Sequence, residues 1–139
     1  MGHFMLEELN RLQKEYEGLA VENVKTIDEM VRYIALTGFL VASQTIMIYA
    51  NKEERETIYR KLCEMNSSLP YSGGIKTRSS SSIEYDSRTF VILSTKRKNY
   101  TLRGIKTNAI FVVGNIPEHW NTDFSIQQYY GAAIIQIGE

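Results

Sequence analysis

The chain has 139 residues and a mass of 16.0 kDa, which is room for one domain and not for a second independent core. Hydrophobic residues make up 43% and charged residues 23%, values that exclude a wholly disordered chain. Sixteen Lys and Arg balance sixteen Asp and Glu, so neither a histone-like polycation nor an acidic solvating tail fits.

The first predicted element is an N-terminal helix over 5–17, within an N-terminal arm reaching residue 20. Leu6, Leu9, Leu12 and Tyr16 recur at helical spacing among charged neighbours. Met1-Gly2-His3 fits a tag remnant ahead of Met5. Thr26 followed by Glu29 gives the capping-box pattern, and the apolar residues behind it predict a buried helix over 27–43. Thr45 to Tyr49 is a short run of β-formers and predicts a buried strand. Lys52 to Met65 is an amphipathic helix, with Ile58, Tyr59, Leu62 and Met65 inward.

Asn66 to Ser82 reads as a loop, with Pro70, Gly73, Gly74 and the Ser79–Ser82 run. A hairpin follows, Ser82–Tyr85 and Thr89–Ser94 around Asp86-Ser87-Arg88. Lys96 to Lys106 is a basic loop and Ala109–Val113 the most hydrophobic strand. Pro117 to about Tyr130 suits a loop and a helix, and Ala132–Ile137 closes as a strand. This order predicts an α/β domain with a mainly parallel central sheet flanked by helices.

The balanced charge is segregated. Residues 1–30 carry three basic and seven acidic groups, whereas 76–106 carry eight basic and two acidic. Lys96, Arg97 and Lys98, with Tyr100, Arg103 and Lys106, combine phosphate-seeking cations with an aromatic able to stack on a base. They are the candidate nucleic-acid-binding residues, and Lys76, Arg78 and Arg88 extend the patch. The other reading is a solvated basic loop balanced by the acidic N-terminal helix.

Other chemistry finds little support. Cys63 is the one cysteine and sits near the inward face of its helix, as a packing residue does. His119 has no second ligand at a metal-like spacing, so no metal site is expected. Asp28, Glu29 and Asp123 are not brought together by any spacing, and Trp120, Phe124, Tyr129 and Tyr130 read as buried aromatics. No apolar run is long enough for a membrane span and no signal peptide is legible, so a cytoplasmic location is expected.

From Lys25 to Ile137 the order of elements resembles the ATPase core of the tailed-phage large terminases, the motors that package DNA. Lys25-Thr26 before the 27–43 helix stands where that family has its P-loop. Ile46–Ala50, the 52–65 helix, the 82–94 hairpin, Leu102-Arg103-Gly104 and Ala109–Val113 follow in the family's order. The resemblance implies a P-loop-NTPase-like fold over 25–137, but the catalytic motifs depart from it. Val24 replaces the glycine before the lysine, no strand is predicted ahead of it, and Gly114-Asn115 replaces the carboxylates of a Walker-B strand.

The expectation is therefore a catalytically inactive, terminase-ATPase-like phage protein without catalytic residues or a cofactor. Lys25 and Thr26 read either as a vestigial phosphate loop or as a plain helix cap. The protein would act by binding DNA or a phage or host component of a packaging or replication machine. The alternatives are a degenerate NTPase subunit completed by a partner, and a small stand-alone DNA-binding protein.

Overall fold

The apolar runs anticipated near 45–49, 89–94, 109–113 and 132–137 all form strands, and these four lie parallel in one sheet. The fold comes from a computed structural model that describes residues 2–96, 106–120, 125, 127, 128 and 131–138. Its helices are α1 (Gly2–Glu17), α2 (Ile27–Leu40) and α3 (Lys52–Ser67). The strands are β1 (Thr45–Ala50), β2 (Ile75–Arg78), β3 (Ser82–Tyr85), β4 (Phe90–Thr95), β5 (Ala109–Val113) and β6 (Ala133–Ile137). The sheet order is β2-β3-β4-β1-β5-β6, with β3 antiparallel to both β2 and β4 and the remaining pairs parallel.

The expected α/β class with a mainly parallel sheet is what the chain forms. Because side chains alternate along a strand, the sheet has two differently covered faces. Ile46, Ile48, Phe111, Val91 and Leu93 pack with Leu12, Ile34, Leu36, Ile58 and Leu62 from the three helices. On the other face Met47, Tyr49, Ile110 and Val112 pack with Trp120, whose ring meets Tyr49 edge-on at 4.8 Å. Each fully buried aliphatic side chain here contributes roughly 1.5–3 kcal/mol.

Several boundaries differ from the sequence reading, among them the end of α3, which runs on from Met65 to Ser67. Helix α1 starts at Gly2 and ends at Glu17, so Gly18 to Ala20 lie outside it, although the arm was assigned through residue 20. Helix α2 stops at Leu40 rather than near Ser43, because the β3–β4 turn takes over its last carbonyls. Ser87 Oγ donates to Gly38 O and Thr89 Oγ1 to Val41 O, both at 2.7 Å, and Ser43 turns the chain with φ 59°. The segment expected as a loop over 66–82 contains β2, which pairs with β3 across a turn closed by Ser79 and Ser82.

Helix α2 packs tightly against Tyr85 of β3 at Gly38. A Cβ there would stand 2.4 Å from Tyr85 Cζ, so only glycine allows this packing distance. Burial pushes the Tyr85 phenol up to about 12, and its hydroxyl lies 3.1 Å from Nδ2 and 3.2 Å from Oδ1 of the buried Asn66 in α3. Gly73 closes over Asn66 with φ 69°, and a Cβ there would stand 2.8 Å from Asn66 Oδ1. Replacing Gly38 by Ala is expected to cost about 3 kcal/mol through overpacking. Tyr85→Phe, which leaves the Asn66 amide unpaired, is expected to cost about 1–3 kcal/mol. Urea unfolding of the two variants against the parent checks both values.

Candidate functional site at the carboxyl edge of the sheet

The four parallel strands end together. Ala50 pairs with Thr95 and Val113 with Ile137, so all four carboxyl ends form one edge. In open α/β sheets this edge is where ligands bind. Helix α3 leaves it directly after Asn51, and α2, which runs back to the start of β1, begins at the same edge. The partial positive charges of two helix N-termini therefore face it.

Both N-termini are closed by the chain's own carboxylates. Thr26 takes an extended N-cap conformation, with φ −117° and ψ 161°, and its Oγ1 accepts from the Glu29 N–H at 3.1 Å. In return Glu29 Oε1 accepts from Thr26 Oγ1 at 3.0 Å, from the Thr26 N–H at 3.1 Å and from the Lys25 N–H at 3.2 Å. Three donors converge on one anionic oxygen, the arrangement that a phosphate oxygen meets at a helix N-terminus. Donation from the Thr26 hydroxyl, and then from the Lys25 N–H, lowers the Glu29 carboxyl below its ordinary value. At α3, Glu54 Oε1 accepts from the Asn51 N–H at 3.3 Å.

Val24 has ordinary extended angles, φ −73° and ψ 120°, and its side chain is buried in the core. It follows the 3-10 turn Val21–Asn23, and α1 precedes that turn. No strand leads into Lys25, and no backbone position there needs glycine. At the end of β5 the backbone carbonyls of Gly114 and Asn115 are taken by the chain's own side chains. Gly114 O accepts from Gln136 Nε2 at 2.9 Å, and Asn115 O accepts from Lys96 Nζ at 3.0 Å. Among the described residues no three His, Cys, Asp or Glu side chains group as metal ligands do.

An open cleft of about 380 Å³ lies between Leu19, Val24, Asp28, Glu29 and Arg32. Arg32 is engaged by Glu15 of α1, with both nitrogen–oxygen contacts at 2.6 Å. That hydrogen bond lowers the Glu15 carboxyl and raises Arg32. With Asp28 and Glu29 on its wall and its arginine already paired, the cleft is a poor home for a polyphosphate.

Of the six residues predicted to bind nucleic acid, only Lys96 and Lys106 fall among the described residues. Lys96 stands just beyond β4 at the carboxyl edge, whereas Lys106 precedes β5 at the amino edge and is exposed. Arg97, Lys98, Tyr100 and Arg103 lie outside the described residues. Lys76 faces Glu84 at 3.7 Å, while Arg78 and Arg88 are exposed, Arg88 at φ 66° in the β3–β4 turn. Cys63 is half-buried against the helical core, as a packing residue. Trp120 is fully buried; Asp123, Phe124, Tyr129 and Tyr130 lie outside the described residues, as does the His119 side chain. Sequence reasoning passed over Glu54, Gln136 and the Asn115 carbonyl. Only the Asn51–Glu54 spacing carried a local signal for them, the one that capping boxes share.

Helix N-termini and parallel strand ends converge on this one edge of the open α/β sheet. Among solved structures, the large terminase ATPase domain of Thermus phage P74-26 matches with a TM-score of 0.60 and 13% identity, over 81% of this chain and 55% of that one. An arginine-to-alanine mutant of the same domain matches with a TM-score of 0.57 and 12% identity, over 80% and 54%. This chain thus spans about half the length of the domains it matches, and at this identity what it shares with them is the fold. No family model and no curated protein matches the chain.

The Glu29 cap has a pH signature. A carboxylate whose folded pKa lies below its unfolded value stabilises the fold above the unfolded pKa, and that contribution is lost as pH falls through the folded value. The stability gap between the parent and Glu29→Gln is therefore expected to be full at neutral pH and to close as pH drops below the ordinary 4.5. Thermal melts of both proteins from pH 7 to pH 3 check this. Thr26→Ala is expected to cost about 1 kcal/mol at pH 7.

Proposed function

We propose that this chain is a phage protein with a terminase-ATPase-like fold that works by binding and does not turn over nucleotide. The observation that carries this reading is the Glu29 carboxylate, which takes up the Lys25 and Thr26 donors at the helix terminus where a nucleotide phosphate would lie. The absence of a leading strand, the buried Val24 and the occupied Gly114 and Asn115 carbonyls support it. Phosphoryl transfer needs a phosphate cradle, a metal ligand and a water-orienting carboxylate, and the engaged groups at Lys25, Thr26, Gly114 and Asn115 support the reading that this chain does without it.

The target we favour is nucleic acid, through the segment 96–106, which holds five of the chain's sixteen cations. Outside the segment, Arg78 and Arg88 are exposed cations able to make sequence-independent phosphate contacts. The DNA-packaging context comes from the likeness to a large terminase domain, and a component of that machine is the partner to look for if nucleic acid fails.

Two measurements test this. Millimolar ATP with Mg²⁺ is expected to give neither hydrolysis above background nor a rise in melting temperature; Mg²⁺-dependent turnover would overturn the reading. Fluorescence anisotropy with duplex and single-stranded DNA is expected to show salt-dependent binding. A Lys96/Arg97/Lys98→Ala variant should then weaken it and flatten the slope against salt by up to about three charges. Unchanged affinity in that variant would remove the segment from the site.

A further inference from the structure

The two edges of the sheet are built differently. Strand β2 carries Lys76 and the exposed Arg78, and its register shifts between Ile75 and Thr77. Charges and bulges of this kind keep an edge strand from pairing with another molecule. Strand β6, at the opposite edge, reads Ala-Ile-Ile-Gln-Ile, with no charged residue and no irregularity in its pairing with β5. Parallel strands are ordinarily covered on both sides, and β5 is buried at every position. Ala133, Ile134 and Ile135 of β6 nonetheless keep part of their surface exposed.

The free side of β6 is defined by its hydrogen bonds. The Ala133 N–H donates to Asn108 O, and Ile137 O accepts from the Gly114 N–H, so residues 133, 135 and 137 are directed at β5. Ile134 and Gln136 therefore turn their N–H and C=O groups outward, and among the described residues nothing pairs with them. The window is short. Ahead of it the Ala132 N–H is taken by Gln127 O, and behind it Gly138 bends away with φ 73°. The Gln136 side chain folds back to Gly114 O and leaves the backbone edge clear.

We propose that β6 pairs antiparallel with β6 of a second copy, joining two sheets across a two-fold axis at Ile135. Two outward residues placed symmetrically about a third are self-complementary under such an axis. Ile134 of each copy exchanges both backbone hydrogen bonds with Gln136 of the other. The two Ile135 side chains then meet at the close, non-hydrogen-bonded position. An uncharged strand on a chain of zero net charge brings no repulsion to this contact, whereas two copies of β2 would oppose their cations. This commits the edge to a second copy rather than to an unrelated extended peptide.

Sedimentation velocity over about 1 µM to about 1 mM is expected to show a concentration-dependent dimer. Gln136→Pro removes an outward N–H and none of the backbone bonds to β5. It also loses the side-chain bond to Gly114 O, which Gln136→Ala loses alone, so relative to Gln136→Ala it should weaken the dimer at least about tenfold and leave the monomer folded. Amide exchange of the unmodified protein supplies a reading independent of that variant. The Ile134 and Gln136 amides should gain protection with concentration, while Ile135 stays protected throughout. A monomer across the whole range, a dimer that persists in folded Gln136→Pro, or Ile134 and Gln136 amides indifferent to concentration would each overturn the proposal.

Discussion

Gly38 lies against the ring of Tyr85, and the arrangement of the helical layer depends on that contact. The helix backbone reaches the aromatic face because no Cβ intervenes, which fixes the depth at which α2 sits on the sheet. The Tyr85 hydroxyl then meets Asn66 near the end of α3, so one ring ties both core helices to β3. Gly73 covers Asn66 from the following turn, and Ser87 and Thr89 just after β3 finish the C-terminus of α2. Displacing any of these groups leaves a buried polar atom without its partner, the kind of loss that close-packed interiors do not absorb.

With α2 held in this position, its N-terminus and partial positive charge face the carboxyl edge. The chain caps that terminus from within. Glu29 satisfies the donors that a phosphate would use, Glu54 does so at α3, and Lys96 and Gln136 occupy the carbonyls at the end of β5. An edge satisfied by its own side chains gains stability from groups that would otherwise await a ligand. The same geometry that serves catalysis when it is left open serves capping when it is closed.

Much of the fold was legible in the sequence because its signals are local. The Thr26–Glu29 box, the 3.6-residue period of Lys52–Met65 and the apolar runs of β1, β4, β5 and β6 each follow from neighbouring residues. Strand β2 escaped because Ile75-Lys76-Thr77-Arg78 is polar and exposed on three of its four positions, and only pairing with β3 makes it a strand. The end of α2 was misjudged because its terminating groups, Ser87 and Thr89, lie far along the chain. The candidate site was legible in part. Lys25, Thr26 and Glu29 were visible as a motif, but the same spacing serves a cap and a phosphate loop.

By itself the sequence determined the α/β class, the succession of elements and the want of a glycine before Lys25 and of carboxylates at the end of β5, since these rest on residue type and short-range period. The tertiary structure decided which way each donor and acceptor points. It turned Glu29 onto the Lys25 and Thr26 amides and brought Lys96 to the end of β5. It set Lys106 at the opposite edge and left β6 with one side unpaired. Those outcomes depend on strand order and register, which are set by long-range pairing that no local pattern specifies.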